Sequence, residues 1–369
     1  MLRWILKTLW LQKTSVVSSS IGVAAAFLLV VIMDAAFVGE SKQIVSYIRH
    51  ANPDIWVMQK GVSNMHMATT FVLDWKAKRI SELPGVKQAT PILYVNTIVH
   101  VGDQKLFAYV MGLKPGGQRA GPWSMAEGKA HPNSGEIILP EVLANMSDVK
   151  IGDKVTIADM PFTITGFSKE TFSMANTIAF VTFDDLQALI EISGTVSFIL
   201  VDLENGQDPQ EMARVIEQQV EKVSAIPQKQ FIENDYQIAL LMGVEIISFM
   251  TIIGSILAAL IIAFTAYSQV AKRRRELAII KALGYKNTSL YFAVAVQSLV
   301  ITGLALIIAL VFSWGLLPIL SAATPMVTLH VTSEALIRMS SIAGVIAIVA
   351  AFVPAHYVAR VDPVSAFKV

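Results

Sequence analysis

The sequence predicts an integral membrane protein with four transmembrane α-helices and a large extracytoplasmic α+β domain inserted between helices 1 and 2. Three observations predict this fold. Hydrophobic residues make up 54% of the 369 residues and charged residues 15%, against about 25% charged residues in soluble domains. Four apolar runs could each cross a hydrocarbon core of about 30 Å, which needs roughly 20 helical residues. Between the first two runs lies a long stretch with alternating, strand-like patterns.

Composition also excludes several kinds of site. The chain has no cysteine, which rules out disulfides, thiol catalysis and cysteine-ligated zinc or iron–sulfur centres. The net charge of +1 gives no support for a nucleic-acid partner. The lipid bilayer is the partner that the composition favours.

The first apolar run also has features of a secretory signal. Lys7 and Lys13 precede it, and Ala24, Ala25 and Ala26 supply small residues. The run is longer than the roughly 7–15 residues of a signal core, and its alanines lie in mid-run, so a retained membrane helix is favoured. The predicted spans are 14–37, 240–267 with an outer stalk, 290–317 and 336–357.

Basic residues near the ends of these runs predict the orientation. Lys and Arg residues are found before the first run, between the second and third, and after the fourth. The loop 318–335 contains neither Lys nor Arg. Because short cytoplasmic loops carry the Lys and Arg excess, both termini, the segment 268–289 and the tail 358–369 are predicted to be cytoplasmic. The domain 38–239 then lies outside.

Residues 1–13 predict an interfacial cytoplasmic helix. Leu2, Ile5, Leu6 and Leu9 recur at helical spacing, with Arg3 among the polar residues that complement them. The alternative is an amphipathic run that simply extends the first membrane helix.

Within 38–239, short β-rich stretches alternate with helical patterns and turn residues, which predicts an α+β domain. The predicted strands are 55–58, 89–101, 106–111, 136–139, 154–157, 162–167, 178–183 and 196–202. The predicted helices are 42–50, 74–83, 141–146, 184–190 and 208–224.

The segment 268–289 predicts a short helix between two membrane helices. Residues from Glu276 to Leu283 are adequate helix formers, and Gly284 is placed as a C-terminal cap. Leu277, Ile280 and Leu283 form a predicted apolar face, with charged residues around it. The alternative is a set of juxtamembrane basic residues followed by a frayed helix start.

Three segments resemble the FtsX/MacB-like permeases of ABC systems. Residues 274–284 (RRELAIIKALG) are similar to the family's loop segment R-R-R-E-[IL]-[GA]-[IL]-[LM]-[RK]-A-[LIV]-G. Residues 359–366 (ARVDPVSA) are similar to its closing A-x-x-x-P-x-x-A-L, although Phe367 stands where the family has Leu. Residues 135–166 resemble a stretch of the MacB-type outer domain.

The resemblance implies a non-catalytic permease subunit that pairs with a cytoplasmic ABC ATPase, two copies of each forming the complex in a bacterial inner membrane. The chain has no G-x-x-x-x-G-K-[ST] segment, so no cofactor is expected in it and ATP would bind to the partner. The loop helix would couple the two subunits. The implied ATPase-coupling residues are Arg273, Arg274, Glu276, Leu277, Ile280, Lys281, Leu283 and Gly284.

The implied function is export or extraction of a hydrophobic or amphiphilic substrate such as haem, a lipid, a lipoprotein or a drug-like molecule. The membrane helices would act as levers that transmit nucleotide-driven closure of the ATPase dimer to the outer domain. An adaptor protein of the membrane-fusion type, on the outer side, is an optional partner. One alternative is a non-transporting signal relay that activates an envelope enzyme. Another is a membrane-anchored receptor with no ATPase.

Two ionisable residues in the apolar runs, Asp34 and Glu245, lie near Met33 and Met242 in sequence. Intramembrane carboxylates are functional candidates, and thioether sulfur is a feasible haem ligand. These four residues form a candidate substrate site. The alternative is that the carboxylates reach water at the interface and the methionines fill gaps.

No catalytic constellation and no metal site is predicted. The six histidines show no metal-ligand spacing. His66, between Met65 and Met67, has an unusual setting that could hold copper or haem, but the sequence favours an exposed loop there.

Overall fold

The structure is a computed structural model. It describes residues 13–348, except 67–68, 103, 115–117, 173–176, 240, 242–244, 273, 325–326, 328, 330–332, 334–335, 338–339, 342 and 346–347. The chain divides into two compact units. The outer unit is Gly39–Glu245 with Thr324–Thr328, and the membrane unit comprises Met1–Val38, Ile246–Ala323 and Leu329–Val369. The predicted interfacial helix 1–13 and the tail 358–369 lie almost wholly outside the described residues.

The elements follow in chain order. The helices are α1 (Lys13–Ile44), α2 (Ser46–Ala51), α3 (Trp75–Ser81), α4 (Glu141–Ser147), α5 (Phe183–Ile190), α6 (Pro209–Gln219), α7 (Gln228–Ala239), α8 (Glu245–Lys272), α9 (Arg274–Ala282) and α10 (Asn287–Ala323). The strands are β1 (Ile55–Gln59), β2 (Val72–Leu73), β3 (Val86–Val101), β4 (Gln104–Leu113), β5 (Met125–Gly128), β6 (Glu136–Pro140), β7 (Lys154–Ile157), β8 (Met160–Ser168), β9 (Ile178–Thr182), β10 (Thr195–Val196), β11 (Phe198–Leu203) and β12 (Val223–Pro227).

The membrane unit is built from long apolar helices. Among the described residues, two helical stretches, Val16–Ile44 and Asn287–Ala323, are long and apolar enough to span a bilayer, and α8 contains a shorter apolar stretch, Ser248–Ile261. With 32 residues, α1 measures roughly 48 Å, more than the hydrocarbon core requires. The fourth predicted span, 336–357, falls mostly outside the described residues, so the count of four spans stays a prediction.

Large apolar side chains cover the outside of this unit. Phe264 of α8 is 73% exposed and Trp314 of α10 is 86% exposed. Inside, Val23 and Phe27 of α1 pack with Ala305 and Ala309 of α10, where small alanines allow helices to approach closely. Apolar surface of this extent is costly in water and inexpensive in lipid, so the burial pattern agrees with a membrane unit.

The outer unit contains a ten-stranded sheet with the order β12-β1-β11-β3-β4-β9-β6-β8-β5, in which β7 pairs with β3 and β8. Strands β4 and β9 pair in parallel, as do β6 and β8. Strands β2 and β10 form a separate two-stranded sheet. The mixture of parallel and antiparallel pairs, with helices on the sheet, confirms the predicted α+β class for this domain.

Alternation along β1 shows how the sheet is buried on both faces. Ile55 and Val57 join one apolar cluster, with residues of α3, α4, α5 and α6. Trp56 and Met58 join the other, with residues of α2 and α7. Successive side chains of a strand point to opposite faces. The helices that follow α1 and precede α8 in the chain therefore share one face of the sheet.

Most predicted elements of the outer domain are confirmed, and the prediction of a helix over 208–224 is partly wrong. Helix α6 begins where predicted, since the Asp208 side chain accepts a hydrogen bond from the Gln210 N–H and Pro209 opens the helix. It ends at Gln219. Residues 223–227 instead form β12, which pairs with β1 from Ile55↔Pro227 to Gln59↔Val223.

Candidate functional site

The candidate coupling element is α9, a nine-residue helix. Its first turn carries Glu276 and its last turn Lys281, the arrangement that the helix dipole favours. Gly284 ends it with φ +90°, and the Gly284 N–H donates to the Lys281 carbonyl at 3.1 Å. Glycine adopts this left-handed conformation without strain. The predicted C-terminal cap is confirmed.

One face of α9 and its cap is exposed and apolar at its centre. Ile279 is 44% and Leu283 73% exposed, and Arg275 and Glu276 are exposed beside them. Positions three, four and seven residues apart share one face of a helix, so these residues form a single surface. We call Arg275, Glu276, Ile279 and Leu283 the coupling face.

The remaining coupling candidates lie elsewhere on the helix. Ile280 and Lys281 are half-buried, and Ala278 is 1% exposed. Arg273 and the side chains of Arg274 and Leu277 lie outside the described residues. Ile279 was not among the predicted coupling residues, because the spacing 277–280–283 and the spacing 276–279–283 both fit a helix.

The four residues of the candidate substrate site fall in different environments. On α1, Met33 is half-buried and Asp34 is 5% exposed. Glu245 is exposed at the first turn of α8, where a carboxylate stabilises the helix by its favourable interaction with the helix dipole. Met242 lies outside the described residues. The grouping of these residues into one site stays a prediction.

The expectation that His66 lies in an exposed loop is wrong. His66 is 4% exposed, and its Nδ1 lies 2.6 Å from Oδ2 of Asp235, which is fully buried. The loop is held inward by an acidic partner on α7, 169 residues along the chain, a distance at which sequence pattern gives no signal. Among the described residues, no group of three His, Asp or Glu side chains is placed to hold a metal ion.

Hydrogen bonds inside the outer unit join α2 and α7, the helices that lie next to α1 and α8 in the chain. Gln228, the first residue of α7, donates from Nε2 to the Ile48 carbonyl of α2 at 2.9 Å, and its N–H donates to the Asp54 carbonyl at 2.9 Å. The Trp56 indole donates to Gln228 Oε1. Helices α2 and α7 are thus tied to each other and to β1.

A second set of contacts grips the end of α2. Arg119 donates to the carbonyls of Ala51 and Asn52 and forms an ion pair with Asp202 of β11. A guanidinium is well suited to the carbonyl end of a helix. The His50 ring stacks on Trp123 with 4.8 Å between centroids. These contacts fix α2 against the rest of the domain.

His50 makes this grip sensitive to pH. Burial, and secondly the charge of Arg119, lower the pKa of His50 below 6.5. As the pH falls, His50 therefore takes up a proton in the unfolded chain before it does so in the folded chain. The contribution of neutral His50 to the stability of the folded domain is complete above about pH 6.5 and is lost as the pH falls through the lowered pKa of the folded state. We expect the melting temperature of the outer domain to fall less between pH 7.5 and 5 in His50→Gln than in the parent chain. Equal slopes in the two chains would contradict this.

Two family models match the chain. Residues 15–219 match the MacB-like periplasmic core domain, and residues 248–363 match the FtsX-like permease C-terminal region. The first match alone covers more than half of the chain. The chain belongs to the MacB/FtsX-type family of ABC transporter permeases. Membership makes this permease a membrane protein, and its outer unit carries most of the match to the MacB-like periplasmic core domain.

The curated relatives that match this permease are each described as an uncharacterized ABC transporter permease. An uncharacterized ABC transporter permease of Mycobacterium tuberculosis is 24% identical over 316 residues, covering 85% of this chain and 84% of the relative. A second permease of that species is 25% identical over 315 residues, with the same coverage. One from Methanocaldococcus jannaschii is 21% identical over 239 residues, covering 60% of this chain and 58% of the relative.

Solved structures similar to this permease include two outer domains. One is the periplasmic region of MacB from Actinobacillus actinomycetemcomitans, with a TM-score of 0.36 and 13% identity, covering 52% of this chain and 98% of that one. The other is the extracellular domain of a noncanonic ABC-type transporter from Gram-positive bacteria, with a TM-score of 0.37 and 13% identity, covering 47% and 100%. The family assignment rests on the two family models.

Proposed function

We propose that this permease transmits ATP-driven motion from a separate cytoplasmic ATPase, through its membrane helices, to the outer domain, and so expels a hydrophobic or amphiphilic substrate. The observation that carries the proposal is the coupling face of α9. Its apolar side chains are exposed, and the helix lies between α8 and α10 in the chain, in the segment predicted to be cytoplasmic, where lipid would not cover them. Such a face is the form in which helices dock into grooves of partner proteins.

The chemistry of the coupling face suits a regulated contact. Burying a leucine or isoleucine side chain contributes about 1.5–3 kcal/mol to the free energy of association. Leu283 and Ile279 are exposed in the free chain and could both be buried on docking. Arg275 and Glu276 at its edge would set register and partner choice rather than affinity. The other proposed coupling residues would stabilise the helix or contact the partner beside the coupling face; they are Arg273, Arg274, Leu277, Ile280 and Lys281.

Photocross-linking tests the proposed docking. A photoreactive amino acid at position 279, on the coupling face, is expected to cross-link to the ATPase in membranes that contain both subunits. The same amino acid at position 278 is the matched control, since Ala278 is 1% exposed. Equal cross-linking at the two positions, or none at 279, would remove the support for docking through this face.

The proposed complex holds two copies of the permease and two of the ATPase in a bacterial inner membrane. Four spans, cytoplasmic termini and an optional outer adaptor complete the proposal. Export is distinguished from a signal relay by reconstituted vesicles. ATP-dependent movement of haem or a fluorescent lipid indicates export, whereas coupled ATP hydrolysis without movement of either favours a relay.

We further propose that substrate reaches the complex near Met33, Asp34, Met242 and Glu245. Met33→Ala and Met242→Ala are each expected to lower ATP-dependent haem movement severalfold, because each removes a thioether that can ligate iron. Vesicle transport with haem measures this. Met250→Ala on α8 is the control, a methionine that is 47% exposed. Unchanged transport in both test variants would end this proposal.

A further inference from the structure

A buried carboxylate attaches the middle of α7 to the rest of the outer domain. Asp235 is fully buried. Its Oδ1 accepts from the Met65 and His66 N–H groups at 2.9 and 3.1 Å, and its Oδ2 lies 2.6 Å from His66 Nδ1. These three contacts on one side chain attach the middle of α7, as the contacts of Gln228 attach its first turn.

The chain that Asp235 holds is itself attached to the sheet. The Tyr94 hydroxyl of β3 donates to the Met65 carbonyl, and the Tyr109 hydroxyl of β4 donates to the His66 carbonyl at 3.1 Å. Asn234 of α7 donates to the Ser63 carbonyl at 3.0 Å. We call Ser63–His66 the bridge segment. It connects α7 on one side with the two central strands β3 and β4 on the other.

Helix α7 lies directly before α8 in the chain, so it is placed to receive any movement of that helix. Helix α7 ends at Ala239 and α8 begins at Glu245, so only five residues separate the helix that Asp235 holds from the next membrane-unit helix. At the other end of α7, Phe231 stacks on Trp56 with 4.7 Å between centroids. Any pull that α8 exerts on α7 would reach the sheet through these attachments.

The attachment includes one group that stability alone does not explain. His66 Nε2 is buried and has no hydrogen-bond partner among the described residues. Leaving a buried polar atom unsatisfied costs about 1–3 kcal/mol. An apolar side chain at position 66 would avoid this cost and would lose the contact with Asp235. The cost is consistent with a contact retained for the position it gives α7.

We infer that Asp235 is a positioning residue that, through the bridge segment, passes the movement of α7 to strands β3 and β4. The inference rests on the proposed function, since it assumes that the ATPase cycle moves α8. It adds the point at which this movement is transferred to the sheet. Asp235→Ala would leave the Met65 and His66 N–H groups without acceptors and release the bridge segment. Asp235→Asn keeps an acceptor at Oδ1 and presents an amide to His66 Nδ1.

Hydrogen–deuterium exchange on the complex of full chain and ATPase tests this. The complex is compared without nucleotide and after trapping with ATP and vanadate, and it needs no substrate. In the parent chain, trapping is expected to change exchange in α9, in α7 and in β3 and β4. In Asp235→Ala, the change in α9 should persist, whereas the change in β3 and β4 should fall by at least half. Asp235→Asn should restore it.

Each outcome has one meaning. If Asp235→Ala responds like the parent chain, the inference is overturned and the proposed function stands. If the parent chain shows no nucleotide response in the outer domain, the proposed function fails and the inference falls with it. If Asp235→Ala loses protection throughout the sheet even without nucleotide, or Asp235→Asn fails to restore the response, Asp235 has only a structural role and the inference is overturned.

Discussion

Leu283→Asp is expected to weaken binding of the ATPase to this permease at least tenfold and to abolish coupled ATP hydrolysis. Leu283 is 73% exposed in the free chain, so its burial would occur only on docking. Losing about 1.5–3 kcal/mol of apolar burial corresponds to roughly 10-fold or more in affinity. The introduced carboxylate would add a desolvation cost in the groove. Titration of the purified ATPase against the permease in nanodiscs measures the change.

Two controls separate docking from folding. Leu73→Asp places the same substitution at a 48% exposed leucine of the outer domain and should leave binding unchanged. Leu283→Met keeps an apolar side chain of similar volume and should retain most of the affinity. Parent-like binding by Leu283→Asp would place the contact away from the coupling face, and loss of binding in Leu73→Asp would point to a general defect.

Trp56→Ala is expected to destabilise the outer domain by about 3–5 kcal/mol, the usual cost of truncating a buried tryptophan or phenylalanine. Trp56 is fully buried, stacks on Phe231 of α7 and lies edge-on to Phe198 of β11. The substitution would open a cavity between α7 and the sheet and remove a hydrogen bond to Gln228. Chemical denaturation of the purified chain, followed by near-ultraviolet circular dichroism, measures the loss.

The chain offers a matched control at Trp75. This tryptophan is the first residue of α3 and is 53% exposed, so Trp75→Ala should cost less than about 1 kcal/mol, as exposed substitutions usually do. Similar losses in the two variants would mean that α7 is not held by the aromatic cluster. Such a result would also weaken the proposed path from α8 to the sheet.

Local patterns were enough to predict most of the outer domain from the sequence. Strand β1 has the short apolar run that predicts a strand, and Asp208 followed by Pro209 is a residue pair typical of a helix N-terminus, which predicts the start of α6. Helix α7 was missed because fully buried Asp235 stands on its buried face, where a helical pattern is recognised by an apolar residue. Strand β12 was missed because its five residues gain strand structure from pairing with β1, a contact that a local pattern cannot reveal.

The same limit applied to the functional residues. The position of α9 and its glycine cap followed from helix propensity and turn chemistry. Which side of α9 faces solvent depends on the neighbours that cover Ala278, so Ile279 was not selected. The burial of His66 depends on Asp235, which comes from a distant part of the chain. Side chains whose environment is set by long-range contacts are the ones that sequence reasoning failed to place.

ATP-driven motion that crosses the membrane to the outer domain should change one measurable distance in the complex. Because the chain has no cysteine, a single spin label at Arg214→Cys, on the exposed side of α6, reports the separation of two outer domains in the complex. We expect this separation to differ by several ångströms between the nucleotide-free complex and the complex trapped with ATP and vanadate. We also expect Leu283→Asp to abolish the difference. An unchanged separation in a complex that hydrolyses ATP at its normal coupled rate would contradict the proposed function.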